Sequence, residues 1–382
     1  MVERSFLRQT PERPVPSIVS LLPLGFGYTR KVLIGLRRYL NLIPKWELRV
    51  LPSFTPAVLE SKDHDAAGCI VLIVGQAQAD TLRGVEQPVV NVSSRKEGDA
   101  FPGVHQDNAA IGQVAAKHLL DLGFERFAFA HEAGSFSADR CAGFRAEIEA
   151  AGYLVEELGR DFGSLHPRLL ELPKPLGLMA ANDLAAGRCL EICRRAGLRV
   201  PEDVAVVGVD NDEDVCEIAP VPLTSVDTAA ETIGYKAGEL LLSLIRGEPR
   251  PALPIVVPPV GIVRRASTAG VGVDDPVLAK ALDYIHRHAC DPLRVEDLME
   301  QVHVSRRTLE IRFRKRFGRT LAEEISRIRL DRAKYLLTET ELPVAKVMAA
   351  CGYENVPRFI TWFRRNVGVP PIAFRKKARG LA

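Results

Sequence analysis

Arginine and lysine residues recur at matching places in two stretches of the chain, residues 295–318 and 344–368. Each stretch contains a short helical pattern, a tight turn and a second helical pattern. In the second pattern the apolar residues lie at i, i+4 and i+8, which buries one face of a helix and exposes the opposite face. The exposed faces carry Arg306, Arg307, Arg314, Lys315, Arg358, Arg364 and Arg365. Because guanidinium groups bond both phosphates and guanine edges, this pattern predicts two helix-turn-helix units that bind DNA.

The element between the two units supports their use as a pair. Residues 321–337 form a helical pattern, which is about 25 Å long at about 1.5 Å per residue. With the ends of the flanking units added, two recognition helices could enter successive major grooves about 34 Å apart. Ser305 is placed to cap the first recognition helix, and Pro357 suits the first turn of the second. Two such units in tandem are a far more specific signal than one.

The positive charge of the chain is concentrated at its C-terminal end. Residues 276–382 contain 22 Lys and Arg against 12 Asp and Glu, a net charge of +10, whereas residues 1–275 contain 29 against 36, a net charge of −7. A basic module on a mildly acidic body is typical of a nucleic-acid-binding domain joined to a domain with another task. The alternative, a basic helical domain that is merely solvated, does not explain the tandem motifs.

A second set of polar side chains follows short apolar runs in the first 263 residues. Polar residues stand at the ends of predicted strands, which is where ligands bind in open parallel sheets. They are Asp107, Asn182, Asp183, Asp210 and Asn211. Carboxylates and amides form strong paired hydrogen bonds to vicinal hydroxyls, so this set suits a sugar. Asn182 or Asp183 could instead cap the helix that follows, and this alternative stays open.

No catalytic constellation stands out in the sequence. A Walker loop, G-x-S-x-G, H-E-x-x-H and a complete G-x-G-x-x-G are all missing from the first 263 residues. His286, His288 and Cys290 are not spaced as metal ligands, because at i, i+2 and i+4 of a helix His288 faces away from the other two. We therefore predict a protein that is not an enzyme and that holds neither a cofactor nor a metal.

Strand and helix patterns alternate from residue 17 to residue 263. Candidate strands cover residues 18–24, 48–51, 69–74, 89–92, 126–130, 176–180 and 204–209, and candidate helices cover residues 29–40, 109–122, 138–151, 184–196 and 229–245. This alternation predicts parallel sheets with helices on both faces. The region is too long for one small sheet, so we expect two stacked α/β lobes with a cleft between them.

The rest of the chain divides into a tail, a linker and an all-helical domain. Residues 1–16 are predicted to be a flexible tail without the apolar run of a secretory signal. Residues 264–275 are predicted to link the α/β domain, residues 17–263, to the C-terminal domain, residues 276–382. Helical patterns in that domain cover residues 277–288, 295–302, 305–317, 321–337, 344–351, 356–366 and 371–378. The short apolar runs and the seven scattered cysteines predict a cytoplasmic protein without a membrane segment.

Residues 276–382 resemble the AraC-type DNA-binding domain. The resemblance is carried by SRRTL at 305–309, IRL at 328–330, CGY at 351–353 and GVPPIAFR at 368–375. In that family the bases are read from the start of each second helix, which by position implies Arg307, Glu310, Ile311, Asn355, Val356, Arg358 and Thr361. Arg is frequent in the family where this sequence has Ile311 and Thr361, so Arg306, Arg307 and Arg358 are the better candidates for guanine edges. Arg314 and Arg365 complete the predicted DNA-binding set.

Residues 17–263 resemble the ligand-binding domain of LacI/GalR-type regulators, which is itself similar to periplasmic sugar-binding proteins. The resemblance is carried by RCAGF at 140–144, GLMAAND at 177–183, VPEDVAVVGVD at 200–210 and LTSV at 223–226. In that family an Arg, an Asn and an Asp at these places reach sugar hydroxyls from the cleft, which implies Arg140, Asn182 and Asp210. Tyr28 and Phe136 are among the aromatic residues nearest these motifs, and with Asp107 they complete the predicted ligand-binding set.

The combination of the two domains resembles bacterial regulators of xylose operons, and two further stretches, residues 256–268 and 281–290, carry that likeness. It implies D-xylose as the effector, a duplex DNA operator, a homodimer formed through the sensor lobes and, in an activator, contact with RNA polymerase. Two alternatives stay open within the class, namely another sugar and repression instead of activation. A transport-type sugar-binding protein is the alternative from another class, and the basic C-terminal domain argues against it.

Overall fold

Two α/β lobes make up the N-terminal part of the computed structural model, which describes residues 16–43, 46–51, 66–269, 272–273, 275–291, 293 and 295–378. The first lobe has a parallel sheet in the order β2-β1-β3-β4, made of β1 (Ser17–Leu21), β2 (Glu47–Val50), β3 (Ala66–Val71) and β4 (Val89–Asn91). Beside it β5 (Val104–Gln106) pairs with β11 (Ile255–Val257). The helices are α1 (Gly27–Leu40), α2 (Gln76–Leu82) and α8 (Ala230–Ile245).

The second lobe is built on a sheet of six strands in the order β12-β10-β9-β8-β6-β7. These are β6 (Phe127–Ala130), β7 (Val155–Leu158), β8 (Leu176–Ala180), β9 (Val204–Val209), β10 (Thr224–Asp227) and β12 (Gly261–Val263), of which β12 is antiparallel to β10. Its helices are α3 (Asn108–Asp121), α4 (Ser135–Ala150), α5 (Phe162–Glu171), α6 (Asp183–Ala196) and α7 (Glu213–Ile218). Every residue of β8 and β9 is buried, as expected for parallel strands covered on both faces.

Helices α1 and α8 pack against each other at unusually short range. A Cβ atom added at Gly35 would lie 1.8 Å from the carbonyl oxygen of Glu231, and one added at Gly234 would lie 1.9 Å from that of Val32. Both glycines are therefore required for the backbones to approach this closely. The contact fixes α1, whose first turn faces the second lobe, on the body of the first lobe.

The first residues of the predicted linker are built into the second lobe. The hydroxyl of Ser267 is fully buried, accepts a hydrogen bond from the Thr224 amide at 2.8 Å and donates one to the Val206 carbonyl at 2.7 Å. Thr268 is bonded to the Thr224 hydroxyl at 2.8 Å. Within the predicted linker, the Ser267 hydroxyl therefore satisfies backbone groups of β9 and β10.

The described residues of the C-terminal domain form seven helices. They are α9 (Pro276–His288), α10 (Val295–Gln301), α11 (Arg306–Phe317), α12 (Leu321–Glu339), α13 (Val344–Ala349), α14 (Val356–Val367) and α15 (Pro371–Ala378). The apolar faces predicted from the i, i+4 spacing are buried, with Leu309 and Phe313 in one core and Phe359 and Phe363 in a second. The predicted fold class, an α/β two-lobed sensor of the periplasmic-binding-protein type followed by an all-α tandem helix-turn-helix domain, is confirmed.

Helix α12 joins the two helix-turn-helix units, and a glycine turn holds them together. Its 19 residues span about 28 Å at about 1.5 Å per residue. Gly352, after α13, has φ +73°, and a Cβ atom there would lie 2.8 Å from the carbonyl oxygen of Cys290, which follows α9 and precedes the first unit. The guanidinium of Arg329 in α12 bonds the carbonyls of Ala289 and Asp291 beside it. The two units therefore form one body along α12.

Several elements were not predicted. They are the strands β7, β10, β11 and β12 and the helices α2, α5 and α7, all of ten residues or fewer. Segments this short show too few repeats for a period to be recognised. Among the described helices none combines the length and the apolar composition needed to cross a membrane.

Candidate ligand cleft and DNA interface

Arg140, near the start of α4, lies at the centre of a polar cluster between the lobes. Only 2% of the residue is exposed. Its guanidinium donates hydrogen bonds to the side chains of Gln106 and Asn108 and to the carbonyl of Ala181, and it lies 3.7 Å from the Asp210 carboxylate. Gln106 ends β5, Ala181 follows β8 and Asp210 follows β9. These partners compensate the burial of the charge.

Asp210 and Tyr28 reach this cluster from opposite lobes. Burial raises the pKa of Asp210 to about 6, although the charges of Arg140 and Lys31 act to lower it. Tyr28, from α1, donates a hydrogen bond to the Val92 carbonyl at 2.6 Å. Burial, and then the Asp210 charge, raises the pKa of Tyr28 well above its usual value. The carboxylate and the phenol are therefore close enough to influence each other's titration.

Asp107 and Asn182 both cap the helices that follow them. The Asp107 carboxylate accepts from the Ala110 amide at 2.9 Å at the start of α3, and the Asn182 side-chain oxygen accepts from the Ala185 amide at 2.8 Å at the start of α6. The capping role that the sequence left open for Asn182 is thus present. Asn182 also follows Ala181 directly, so it lies next to the Arg140 cluster, and the cap does not use its amide nitrogen.

Phe136 lies between two guanidinium groups. The Cζ atom of Arg140 is 5.0 Å from the ring centroid and that of Arg95 is 5.4 Å from it. Arg95 comes from the first lobe and also donates to the Ala133 carbonyl in the second lobe at 2.9 Å. The ring therefore takes part in cation–π contacts that join the lobes. The contact with a sugar expected for Phe136 stays a prediction.

Three charged residues beside the cleft were missed in the sequence. Arg30 in α1 pairs with Asp212 at 2.8 Å, and Asp212 also accepts from the Gly27 amide at 2.8 Å. Lys31 donates to the Asn211 carbonyl at 2.7 Å. Arg30 and Asp212 are 182 positions apart, so no local pattern could pair them. The available signal was the acidic run after β9 opposite the basic start of α1.

The loop after β9 carries unusual backbone conformations. Asp210 has φ +104° and Asn211 has φ +48°, values that few residues other than glycine adopt. Below them Asp183 is buried, and its carboxyl accepts from the Ser225 hydroxyl at 2.6 Å and the Asp212 amide at 2.8 Å. Burial, and then the Asp210 charge, raises the pKa of Asp183 to about 8. Backbone strain of this kind is concentrated at functional sites.

The first predicted recognition helix, α11, presents its candidate residues to solvent. Ser305 caps it by accepting from the Thr308 amide at 3.2 Å, as predicted. The side chains of Arg306, Arg307, Ile311 and Arg314 are exposed and that of Glu310 is partly exposed. Ile311 is 59% exposed, and an apolar side chain on such a face can contact a thymine methyl group.

The second predicted recognition helix, α14, is capped by one of its own candidate residues. Asn355 accepts from the Arg358 amide at 3.0 Å, and Pro357 lies in the first turn as predicted. Thr361 donates to the Pro357 carbonyl at 2.9 Å. The side chains of Asn355, Arg358, Thr361 and Arg365 are exposed, and that of Val356 is partly exposed. Both helices therefore offer donors and apolar groups on one accessible face.

The histidines of the 286–290 segment have separate partners. His286 bonds the Glu324 carboxylate at 3.0 Å, and His288 bonds that of Asp291 at 2.9 Å. Elsewhere in the described part of the chain, His131, Cys141 and Glu157 offer ligand atoms within 4.8 Å of one another. The guanidinium of Arg145 pairs with that glutamate, so we assign no metal to the group.

Two family models match the chain. A periplasmic binding protein-like domain matches residues 116–268, and a helix-turn-helix domain matches residues 298–377. The first covers most of the second lobe and the second covers both helix-turn-helix units. Fold and sites together define a DNA-binding transcription regulator with an α/β ligand-sensing domain.

Relatives of similar length share this domain order. The xylose operon regulatory protein of Escherichia coli strain K12 is 30% identical over 377 residues, which cover 94% of this chain and 96% of that protein. The protein of the same name from Haemophilus influenzae is 27% identical over 91% of this chain and 95% of its own length. The solved structure of a xylose-binding transcription activator is 28% identical, with a TM-score of 0.59 over 94% of this chain and 98% of that one.

The chain belongs to the family of xylose operon regulatory proteins. It is a sugar-responsive DNA-binding transcription regulator. Both relatives carry the name of a regulatory protein.

Proposed function

We propose that this protein is an activator that binds D-xylose between the two lobes of its sensor and binds its operator more tightly as a result. The observation that carries the proposal is the cluster around Arg140, in which side chains from both lobes converge on one buried guanidinium. The names of the relatives that share the whole domain order support xylose as the sugar.

The chemistry of the cleft suits a small polyol. Asp210, Asp107 and Asn182 offer oxygen acceptors and an amide donor at the ends of strands, while Arg140 offers donors. Charged groups of this kind form strong hydrogen bonds to vicinal hydroxyls. Phe136 and Tyr28 add aromatic surface, which packs on the C–H edges of a sugar ring. These six side chains are the proposed ligand contacts.

The proposed DNA contacts divide into two kinds. Arg306, Arg307 and Arg358 lie near the start of their helices, where base edges are read, and Glu310, Ile311, Asn355, Val356 and Thr361 flank them. Arg314 and Arg365 lie farther along and are proposed phosphate contacts. Two copies of the chain, joined through their sensor lobes, would place two DNA-binding domains on one operator, so we propose a homodimer. We also propose that it is cytoplasmic and that, as an activator, it contacts RNA polymerase.

Calorimetry on the full chain tests the sugar. Xylose, arabinose, ribose and glucose are titrated in turn, and we expect xylose to bind at one site per chain with the highest affinity. Preference for another sugar would discard xylose and retain the mechanism. Failure of all four to bind would remove the sensor proposal.

Operator binding with and without the sugar tests the coupling. If xylose tightens operator binding by a factor, the operator must tighten xylose binding by the same factor, typically about 5- to 150-fold. Equal affinity for the operator with and without xylose would contradict the regulatory role, and weaker affinity would indicate a repressor released by sugar.

A further inference from the structure

A cavity of about 510 Å³ lies where the sensor meets the DNA-binding domain. Its sensor wall includes Lys117 and His118 of α3 and Arg264 after β12, and its DNA-binding wall includes Arg332 and Lys334 of α12. A volume of this size is in the range of small-molecule sites. The lining residues do not include those of the Arg140 cluster, so this is a separate place in the molecule.

The two domains are held together at one edge of the cavity by ion pairs. Asp121, at the end of α3, lies 3.0 Å from Arg319 and 2.9 Å from Arg327. Arg327 also pairs with Glu324 at 2.6 Å and with Asp331 at 3.3 Å. The two carboxylates that line the cavity, Asp121 and Asp331, are therefore both engaged by Arg327.

The cavity has more cations than these carboxylates can balance. Lys117, Arg264, Arg332 and Lys334 line it, and none of the four has a carboxylate oxygen within 4 Å among the residues that the structure describes. Arg287 also lines it but is paired with Asp283 on its own helix. A surplus of cations around a partly enclosed space attracts anions, because a low-dielectric wall screens the charges poorly.

Arg264 is a cation of this cavity that forms no ion pair within 4 Å among the described residues, although the charges of Glu324, Asp331 and Asp121 act on it from farther away. Its guanidinium is partly buried, and its hydrogen bond in this cavity goes to the neutral ring of His118 at 3.5 Å. Burial, and then the nearby charge of Arg327, lowers the pKa of Arg264 to about 10. His118 is held in place by Thr268, whose hydroxyl is 3.0 Å from the other ring nitrogen. A buried charge without a paired carboxylate is costly, and an anionic ligand would remove that cost.

We propose that this interdomain cavity binds a small phosphorylated molecule, with Arg264 as its central contact and Lys117, Arg332 and Lys334 around it. A phosphate group presents several charged oxygens, and guanidinium groups bind it with paired hydrogen bonds. Because the walls come from both domains, a bound phosphate compound would join them. It would therefore act on the position of the DNA-binding domain independently of the sugar cleft.

Calorimetry with pyrophosphate on the full chain tests the site, with inorganic phosphate as a second probe and chloride used to keep the ionic strength constant. We expect one pyrophosphate per chain. Arg264→Gln should weaken its binding by about tenfold or more, as the loss of a charge-assisted contact requires. Lys334→Gln should also weaken it, and this variant keeps the test valid if Arg264→Gln does not fold.

Two control variants locate the binding. Arg287→Gln removes a cation from the same cavity that is already paired, and Arg307→Gln removes one from the DNA-reading face. Both should leave pyrophosphate affinity within about twofold of the unmodified chain. The proposal is overturned if pyrophosphate does not bind saturably, if Arg264→Gln and Arg287→Gln have equal effects, or if Arg307→Gln alone weakens binding.

Discussion

Replacing Asp210 with asparagine should weaken sugar binding and remove its dependence on pH. Asparagine has nearly the same shape as aspartate and tolerates a positive φ, so the +104° backbone of this residue can be retained. The substitution removes only the charge. It therefore tests whether the carboxylate itself accepts hydrogen bonds from the ligand.

The size of the effect follows from the kind of hydrogen bond that is lost. A bond to a charged group contributes about 1.5–3 kcal/mol and a neutral one about 0.5–1.5 kcal/mol. The difference of about 1–2 kcal/mol corresponds to about 5- to 30-fold weaker binding. We expect this loss at pH 7.5, where the carboxylate of the unmodified chain is ionised.

The pH dependence follows from the raised pKa of Asp210, about 6. Its ionised fraction falls as the pH decreases through 6, so sugar affinity should fall in the same direction. At pH 5 about one tenth of the carboxylates remain ionised, which weakens binding by about four- to eightfold for the loss given above. Burial, and then the Asp210 charge, raises the pKa of Asp183 to about 8, above that of Asp210.

Calorimetry with xylose between pH 5 and pH 7.5 measures both effects. Asp210→Asn should bind weakly and with constant affinity over this range. Asp214→Asn is the control, because Asp214, in the first turn of α7 just after that loop, is an 85% exposed carboxylate 3.3 Å from Arg30. Its loss should change affinity by less than about twofold. If Asp210→Asn retains the affinity at pH 7.5, or the pH dependence of the unmodified chain, the assignment of Asp210 is refuted.

Three further predictions concern the DNA-binding domain. Arg307→Ala should weaken binding to the operator by about 1–3 kcal/mol and binding to random DNA only slightly, whereas Arg365→Ala should weaken both equally. Titrations of each variant with operator and with random DNA measure this. Equal losses of affinity for both DNAs in Arg307→Ala would show that Arg307 contacts phosphate and not a base. Burial lowers the pKa of His286 to about 3, so the folded chain keeps this histidine neutral. The free energy of unfolding should therefore be at its full value above pH 6.5 and decrease as the pH falls toward 3, by about 2 kcal/mol at pH 5. Urea unfolding at several pH values should show this decrease in the free energy of unfolding, and His286→Gln should make the decrease smaller. An unchanged pH dependence in the variant would contradict the assignment. Gly352→Ala should destabilise the chain more than Gly318→Ala, because the two have φ +73° and +69° but only the first would meet backbone atoms. The positive φ should cost each alanine variant about 1–2 kcal/mol of stability. Equal decreases of the melting temperature in the two variants would show that the close contact of Gly352 with the Cys290 carbonyl does not affect stability.

The helices of the DNA-binding domain could be predicted almost to the residue. The first recognition helix was expected over residues 305–317 and is found at Arg306–Phe317, and the seven predicted helices are all present. The signals for these elements are local, since an N-cap hydroxyl and apolar residues at i and i+4 lie within one segment. The short strands β11 and β12, of three residues each, have no such signal and form only because a partner strand lies beside them.

By itself the sequence determined the fold class, the two basic helix-turn-helix units and the polar residues Arg140 and Asp210 of the predicted cleft. Tertiary structure decided the rest. That Arg140 is held by Gln106 and Asn108, and that Arg264 lines a cavity with no ion-paired carboxylate among the described residues, depends on which distant segments fold together. Charges act through distance and desolvation, and neither quantity is contained in the order of the residues.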